Sequence, residues 1–270
     1  MFKLLCITAI HERDPQILLN CMKKFGIETI AAVTHDKDYG IDTIRTMNEP
    51  LGHKWNRVAT MALKYDWTHL LIMGDDNAIT EKGLARIKEN AWMPLGGFPS
   101  VTYAHPLTQR ACEHWIDFDI PKVIGAGRFI NRKTLEDVCV KYRCRVVNKE
   151  YAEVIGITED ITLLSQSQME YLTKIGGIIE PIDKVVELFP PSASKRLDFQ
   201  SDNIFAKYNY LYTQVNVGSK PLVLDIKSGF NLWGYNQVVA GKLEADYHES
   251  LKRFNLCHDQ ISTIYGNLPQ

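Results

Sequence analysis

Two adjacent acidic residues follow a short apolar segment and offer the clearest chemistry in the chain. The segment His69–Met73 is typical of a buried strand, and it stops at the sequence Gly74-Asp75-Asp76-Asn77, whose residue types favour turns and exposed loop ends. Neighbouring carboxylates repel each other unless a cation lies between them. Mg²⁺ and Mn²⁺ take oxygen ligands from one or two carboxylates and complete their shell with phosphate and water. Asp75 and Asp76 are therefore candidate ligands of a divalent cation, and a plain polar turn between strand and helix is an equally good interpretation of these residues taken alone.

The acidic pair follows the third strand of a repeating strand–helix pattern. The predicted elements are a strand over Phe2–Ile10, a helix from Asp14-Pro15 to Gly26, a strand over Thr29–Val33, a helix over Lys54–Tyr65 and a strand over His69–Met73. Strands that alternate with helices build a parallel sheet covered on both faces. Ligands of such open sheets bind at the carboxyl ends of the strands, so the acidic pair is predicted to point at the binding site.

The pattern is less regular in the remaining two thirds of the chain. The predicted elements there are a helix from Thr80 to about Asn90, strands near Gly97–Tyr103 and Lys122–Ala126, helices near Arg132–Tyr142 and from Thr158 to Leu172, a helix over Ile204–Gln214, a strand over Leu222–Ile226 and a helix over Gly234–Phe254. The predicted fold class is α/β, with a Rossmann-like, mostly parallel sheet flanked by helices.

Composition excludes several classes of protein. The 270 residues are 45% hydrophobic and 23% charged, which suits one large α/β domain. With 31 basic and 32 acidic residues, no global positive field holds the chain on nucleic acid or an anionic membrane. The six cysteines are scattered without a C-x-x-C pair and are expected to be buried thiols of a reducing compartment. Apolar runs are shorter than the roughly 20 residues of a membrane span, and no signal peptide is recognised, so a cytoplasmic setting is expected.

An ordered set of short segments resembles the family 2 glycosyltransferases of the GT-A fold. In that family a helix opening with an Arg/Asn pair precedes the strand that carries the metal-binding D-x-D motif, and the segment Asn56–Thr80 is similar to this stretch. Four further matches follow the same order over about residues 1–175: Arg13 after the first strand, Asp36 after the second, the segment Gly125–Arg132, and Glu159-Asp160 opening a helix.

The resemblance implies a fold and a division of the chain. The fold would be that of the nucleotide-diphospho-sugar transferases (GT-A). Residues 1–175 would form the nucleotide-sugar-binding and catalytic core. Residues 176–270 would complete the fold and shape the acceptor side, as part of one continuous domain.

The resemblance also implies the residues that bind the donor. These residues lie at strand ends and in one later loop, and they are Arg13, Asp36, Lys54, Asp75, Lys195 and Arg196. Asp36 would contact the base of the nucleotide. Lys195 and Arg196, in the loop Pro190–Leu197, would close over the diphosphate, unless this segment is a plain surface loop.

The metal site and the catalytic base follow from the same resemblance. Asp75 and Asp76, with Asn77, would hold Mn²⁺ or Mg²⁺ at the diphosphate. Asp160, with Glu159 beside it, would be the general base that takes the acceptor hydroxyl proton, although acids in a first helical turn are also favoured by the helix dipole, by about 0.3–1 kcal/mol each. In many GT-A enzymes a third metal ligand, often a histidine, follows some tens of residues after the base. No histidine occurs here between Ser165 and Tyr247, so the identity of this ligand stays open. The candidates for it are Asp198, Asp202, Asp225 and His248.

The resemblance implies metal-dependent transfer of a sugar from a nucleotide-sugar to a hydroxyl acceptor. A UDP-sugar is the favoured donor, and inversion at the transferred sugar is the favoured stereochemical outcome. The acceptor stays open among a glycan, a small molecule and modified-base DNA. The DNA alternative depends on a local basic set, consisting of Lys122, Arg128, Arg132, Lys133, Lys141, Arg143 and Arg145. Two other functions are a nucleotidyltransferase, disfavoured because Ile7–Pro15 contains no glycine, and a catalytically inactive GT-A-like binding module.

Overall fold

The computed structural model describes residues 1–11, 13–47, 50–115, 125–148, 151, 153, 156, 161–192, 212–214, 220–227 and 242–265. Four of the predicted site residues lie outside these ranges: Glu159, Asp160, Lys195 and Arg196. Most of the predicted strand over Lys122–Ala126 and most of the predicted helix over Ile204–Gln214 lie outside them as well.

The described elements follow one another as β1 (Leu4–Ala9), α1 (Gln16–Lys24), β2 (Glu28–Val33), β3 (Asp42–Arg45), α2 (Leu51–Ala62), β4 (His69–Ile72), β5 (Asn77–Ile79), α3 (Glu81–Glu89), β6 (Leu95–Gly97), β7 (Ser100–His105), β8 (Arg110–Trp115), β9 (Arg128–Asn131), α4 (Arg132–Cys139), β10 (Val140–Val146), β11 (Ile161–Leu164), α5 (Gln166–Lys174), β12 (Ile179–Val186), β13 (Tyr212–Gln214), β14 (Val223–Ile226), β15 (Leu243–Ala245), α6 (Tyr247–Arg253) and α7 (His258–Tyr265).

A mixed sheet with strand order β13-β6-β9-β4-β1-β2-β3 forms the first layer. β1 pairs in parallel with both β2 and β4, and β3 pairs in parallel with β2. The two faces of β1 pack against different helices, because Leu5 and Ile7 join the cluster of α2 whereas Cys6 joins that of α1. The sheet is therefore doubly wound, with its switch point between β1 and β4. The predicted α/β class is confirmed, with a Rossmann-like first sheet in which most strand pairings are parallel. The GT-A assignment stays a prediction.

A second sheet has the strand order β15-β8-β7-β14-β5. One face packs against α6 and α7, where Leu224 and Ile226 contact the cluster that contains Leu251 and Ile261. The other face is apolar only at one end, where Val223 lies in the cluster of α1. Because β5, β7 and β8 precede residue 175 and β14 and β15 follow it, both predicted regions of the chain contribute strands to this sheet.

A small antiparallel sheet of order β11-β10-β12 stands apart in the topology, with α5 on one face. Cys144 and Leu164 pack with Leu172 of that helix. The opposite face carries ion pairs between β10 and β12, including Arg143 with Asp183.

Several predicted helices differ from the structure. The helix predicted from Thr158 to Leu172 is wrong over Ile161–Leu164, which pairs with β10 as a strand. Helix α5 begins only after Ser165, because the Ser165 hydroxyl accepts from Gln168 N and the Gln168 side chain accepts from Ser165 N. This reciprocal capping box fixes the start of the helix more strongly than a distant threonine.

The ends of three other predicted helices are also corrected. The helix predicted near Arg132–Tyr142 ends at Cys139, because the chain from Val140 pairs with β11 and β12. Residues 212–214 form a strand along β6 instead of the end of a helix. Within Gly234–Phe254, the described part contains strand β15 and a helix that starts after Asp246, whose carboxylate accepts from Glu249 N. In the described ranges, no helix combines the length and apolarity needed to cross a bilayer.

Candidate active site

The acidic pair lies at the carboxyl end of β4, beside the end of β1. Met73 continues the pairing of the two strands by donating to the carbonyl of Ile7, and the chain then turns so that Asn77 N donates to Gly74 O. Asp75 and Asp76 are 1% and 5% exposed. Two carboxylates are thus buried at the switch point of the doubly wound sheet, which is where such sheets bind ligands.

The Arg13 side chain contacts both carboxylates. Its Nη2 lies 2.7 Å from Asp75 Oδ1, and its Nη1 donates to Asp76 Oδ2. The backbone N–H of His11 donates to Asp75 Oδ2 at 3.4 Å. The segment that follows β1 therefore supplies the positive charge that two adjacent buried carboxylates require.

The turn that presents Asp76 is built around a glycine and an amide side chain. Asn77 Oδ1 accepts from Gly74 N at 2.7 Å, and Asn77 Nδ2 donates to Asp76 Oδ1 at 3.0 Å. A Cβ atom at Gly74 would lie 2.8 Å from Asn77 Oδ1 and 2.9 Å from Asp76 Oδ1, closer than real contacts allow. Gly74 is thus required for this close approach. The alternative of a polar turn describes Asn77 well, since both ends of its amide are used within the turn.

A third acid, Asp225, comes from β14. Asp225 is paired in register with Asn77 of β5, and Ile226 N donates to the carbonyl of Asp76. Asp225 Oδ2 lies 2.7 Å from Lys227 Nζ, while Asp225 Oδ1 is buried and, among the described residues, has no hydrogen-bond partner. Lys227 is 8% exposed. The site thus gains a second buried ion pair from a strand that is about 150 residues away in the sequence.

Burial shifts the pKa values of the site. Burial raises the pKa of Asp75 to about 6, against the opposing effect of Arg13, and repulsion by Asp76 adds to the increase. Burial likewise raises the pKa of Asp225 to about 6, where Lys227 opposes the shift and Asp76 adds to it. Strongly shifted carboxyl groups beside a specific cation are typical of functional sites.

The structure brings Lys54 to the same strand ends but leaves Asp36 on the surface. Lys54 is fully buried and donates to the carbonyl of Ile10. Burial lowers the pKa of Lys54 to about 8, while the charge of Asp75 opposes the shift. The Asp36 carboxylate is exposed and accepts two hydrogen bonds, both of 2.8 Å, from Arg45 Nη1. Arg13, Lys54 and the acidic pair are thus grouped, and Asp36 pairs with β3.

Three carboxylates of the site could supply oxygen ligands to a hard divalent cation. Asp75, Asp76 and Asp225 offer carboxylate oxygens, and the buried Asp225 Oδ1 accepts no hydrogen bond from the part of the chain that the structure describes. Among the described residues, no three His, Cys, Asp or Glu side chains converge into a complete protein-only metal site. Mg²⁺ needs no such site, because one or two carboxylates together with substrate phosphate and water complete its shell.

Sequence reasoning missed three residues beside the acids. Lys227, Tyr103 and Lys242 were not predicted, whereas Asp225 was among the open candidates for a further metal ligand. The strand predicted over Leu222–Ile226 is the sequence signal that could have placed Lys227 beside Asp225. Side chains alternate along a strand, so an acid and a lysine two residues apart share one face.

Most of the basic set behind the DNA alternative is accounted for by other contacts. Arg128 is buried. The others with described partners form ion pairs: Arg132 with Glu136, Lys133 with Asp137, Arg143 with Asp183 and Arg145 with Glu180. Lys122 lies outside the described ranges. A DNA acceptor stays a prediction.

Two cavities flank α1, and one of them reaches Ala78, next to Asn77 of the acidic turn. One, of about 480 Å³, is lined by residues of α1 and α7, and the other, of about 730 Å³, by residues of α1 and the start of β2. Neither Asp75 nor Asp76 lines them. The candidate site is therefore defined by the charged side chains at the strand ends.

Comparison with known proteins gives structural likenesses only. No protein-family model and no curated protein sequence matches the chain. A protein of STIV is 15% identical with a TM-score of 0.31, covering 49% of this chain and 66% of its own. TarS of S. aureus is 13% identical with a TM-score of 0.36, covering 84% of this chain and 37% of its own. A putative nucleotide-diphospho-sugar transferase of Desulfovibrio desulfuricans G20 is 9% identical with a TM-score of 0.28, covering 67% of this chain and 78% of its own.

These values limit what the likenesses mean. This chain spans slightly less than two thirds of the STIV protein and little more than a third of TarS. At these identities and TM-scores the likenesses say nothing about the activity of this chain.

Proposed function

We propose that the chain is a metal-dependent glycosyltransferase that moves a sugar from a nucleotide-sugar donor to a hydroxyl acceptor. The observation that supports this most is the burial of Asp75 and Asp76 side by side at the switch point, on a single guanidinium. Burying two carboxylates is costly, and a site that keeps them there has a use for their charge.

The cations of the site suit a departing nucleoside diphosphate. Negative charge accumulates on that group as the glycosidic bond breaks, and fixed positive charges in a water-poor site stabilise it. Arg13 and Lys54 would face this charge from the segment that follows β1 and from α2. Asp75 and Asp76 would hold Mn²⁺ or Mg²⁺, which supplies further neutralisation of the diphosphate when bound.

The acceptor hydroxyl needs a base, and the proposal keeps Asp160 in this role with Glu159 beside it. A positioned base contributes typically about 10²–10⁴-fold to the rate, provided that it lies within hydrogen-bond reach of the hydroxyl. A base on the opposite side of the sugar from the leaving group would give inversion.

The donor proposal extends to the nucleotide. A UDP-sugar is the favoured donor, with Asp36 contacting its base and Lys195 and Arg196 closing over its diphosphate. The Asp36 carboxylate is exposed at the end of β2, where a base could replace its contact with Arg45.

The proposal is tested by removing the charge of the acidic pair. A panel of nucleotide-sugars with Mn²⁺ is screened for release of nucleoside diphosphate, with the wild type and the double variant Asp75→Asn/Asp76→Asn compared on the best donor. We expect the double variant to lose at least about 10²-fold in rate and to lose Mn²⁺-dependent binding of UDP in calorimetry. Asp183→Asn, on the exposed face of β12, is the matched control and should retain both.

The products separate the alternatives. Free nucleoside diphosphate with the sugar on the acceptor supports the proposal, whereas release of pyrophosphate would identify a nucleotidyltransferase. An inactive binding module would show thermal stabilisation by a nucleotide-sugar without turnover; a ligand at 100 times its Kd stabilises by about 2.7 kcal/mol. Full activity of the double variant would reject the proposed site.

A further inference from the structure

Two lysine side chains lie over one aromatic ring next to the acidic site. Lys227 Nζ is 5.2 Å and Lys242 Nζ is 4.8 Å from the centroid of the Tyr103 ring. The Tyr103 ring also stacks on His114, with centroids 6.3 Å apart and an interplanar angle of 24°. None of these four residues is needed for the contacts between Arg13 and the acidic pair.

The strand register places this group on the same face as the acidic site. Asn77 pairs with Asp225, and Asp225 pairs with Tyr103, so the three side chains form one row across β5, β14 and β7. Lys227 lies two residues beyond Asp225 and therefore on the same face. Lys242 directly precedes Leu243, and Leu243 pairs with Glu113, the neighbour of His114 on β8. The acidic turn and the lysines are thus two ends of one polar surface.

The charges of the two lysines are balanced differently. Lys227 Nζ has the Asp225 carboxylate at 2.7 Å. Lys242, among the residues that the structure describes, contacts the Tyr103 ring and forms no ion pair with a carboxylate. Burial lowers the pKa of Lys242, and repulsion by Lys227 adds to this shift. An anion that reaches both ammonium groups would remove the repulsion and replace the hydration that burial takes from Lys242.

We propose that Lys242 and Lys227, over Tyr103, bind a phosphoryl group carried by the acceptor. This inference rests on the proposed function, in which the donor diphosphate occupies the acidic end of the surface. Neighbouring strands are about 4.8 Å apart, so Tyr103 on β7 is about 10 Å across the sheet from β5. Lys227 lies beside Asp225, whereas Lys242 lies over the Tyr103 ring, so the pair extends from the acidic cluster toward β7. An acceptor phosphoryl group on Lys242 would then lie next to the donor diphosphate without occupying its place. Lysine binds phosphate as a point charge, and the Tyr103 ring can pack against a sugar or polyol next to it.

The test measures binding of three probes to the full chain by calorimetry. The probes are glycerol 3-phosphate, glycerol as its uncharged counterpart, and UDP with Mn²⁺. Lys242→Met keeps the length of the apolar stem and removes the charge, whereas Lys242→Arg keeps the charge. Lys252→Met is the matched control, because Lys252 is an exposed lysine of α6 that pairs with Glu249.

We expect the wild type to bind glycerol 3-phosphate in the millimolar range and not to bind glycerol. Lys242→Met should lower the affinity for glycerol 3-phosphate about tenfold or more, as expected for loss of a charge-assisted hydrogen bond. Lys242→Arg and Lys252→Met should keep the affinity of the wild type. Binding of UDP with Mn²⁺ should be unchanged in all three variants.

Two results would overturn the inference. If Lys242→Met lowers the affinities for UDP and for glycerol 3-phosphate equally, the lysines belong to the donor diphosphate. If the wild type binds no glycerol 3-phosphate, or if Lys242→Met binds it as tightly as the wild type does, the subsite does not exist. Failure of the proposed function gives a different pattern, in which the wild type binds no UDP with Mn²⁺ and hydrolyses no nucleotide-sugar, whatever its affinity for glycerol 3-phosphate.

Discussion

Opposite charges meet in two regions of the molecule, in very different surroundings. The buried cluster, at the candidate active site, consists of Arg13, Asp75, Asp76, Asp225 and Lys227. The exposed pairs, on the outer face of the small antiparallel sheet, are Arg143 with Asp183 and Arg145 with Glu180. In the buried cluster the side chains of Asp75 and Asp76 are 1% and 6% exposed, whereas all four side chains of the exposed pairs are at least 43% exposed.

The difference lies in what burial costs the charged groups. An exposed pair gains little from attraction in water and is typically worth about 0–1 kcal/mol. A buried pair loses hydration that its attraction barely restores, and apolar residues of similar size are often at least as stable in its place. The exposed pairs therefore fit a solvated surface, while the buried cluster indicates a function that requires it.

The largest expected effect comes from Arg13→Met. This change leaves Asp75 and Asp76 buried without their shared cation, and breaking a buried pair in this way costs about 3–5 kcal/mol. Arg143→Met, the matched control in the exposed pairs, should cost less than about 1 kcal/mol. Denaturant unfolding of both variants in buffer without divalent ions gives the comparison. Equal losses would mean that burial does not distinguish the two regions.

A neutral buried group shows how much of this effect is due to charge. The Asn56 amide donates to Phe189 O and accepts from the N–H groups of Leu188 and Phe189, at 2.7–2.9 Å. Asn56→Ala leaves these backbone groups without partners and should cost on the order of 3 kcal/mol. Asn90→Ala removes a single bond to Arg86 O at a less buried position, so it should cost clearly less. Salt should leave both losses unchanged, unlike those of charged pairs.

A smaller, pH-dependent effect is expected from Asp225→Asn. The pKa of Asp225 is raised to about 6 in the folded state, above the ordinary value near 3.9 of an unfolded chain. The folded state therefore holds the proton more tightly, and this group lowers the free energy of unfolding as pH rises from about 4 to about 6. The variant lacks this decrease, so its stability relative to wild type should rise by roughly 1–3 kcal/mol across that window and stay constant above it. Thermal unfolding at a series of pH values measures it, and a flat or falling difference would contradict it.

Local patterns were enough to predict the frame of the site. Apolar runs gave β1, β2 and β4 to within two residues at each end, and Thr80 caps α3 as expected by accepting from Gly83 N. Alternating strands and helices then determine that the acidic pair lies at a strand end near a switch point. These features depend on neighbours in the sequence, and for that reason they were predictable.

The partners inside the site depend on register between distant segments. Arg13 reaches Asp75 and Asp76 because β1 and β4 pair with Cys6 opposite Leu71, a detail that no local pattern contains. Asp225 joins them only because β14 pairs with β5 across about 150 residues. A shift of one residue in either pairing would turn these side chains to the other face, so the composition of the cluster follows from tertiary packing.

The start of helix α5 has a local signal in the sequence. Ser165 and Gln168 have the spacing of a capping box, which predicts a helix start at residue 166. The helix predicted from Thr158 competes with this signal, because Ile161, Leu163 and Leu164 also fit a helical apolar pattern. Those residues form a strand because β10 offers a pairing edge, which again is a tertiary effect.

The smallest expected effect is the coupling within an exposed pair, and it completes the comparison. Arg143 and Asp183 form a bidentate contact, which is the best geometry that a surface pair can have. A double-mutant cycle with Arg143→Met and Asp183→Asn should nevertheless give a coupling below about 1 kcal/mol that largely disappears in 1 M salt, because both side chains are hydrated and screened. The same cycle with Arg13→Met and Asp76→Asn should give a larger coupling that salt reduces much less. Two couplings of similar size and salt dependence would show that the acidic turn is open to water, and the argument from burial to function would then lose its basis.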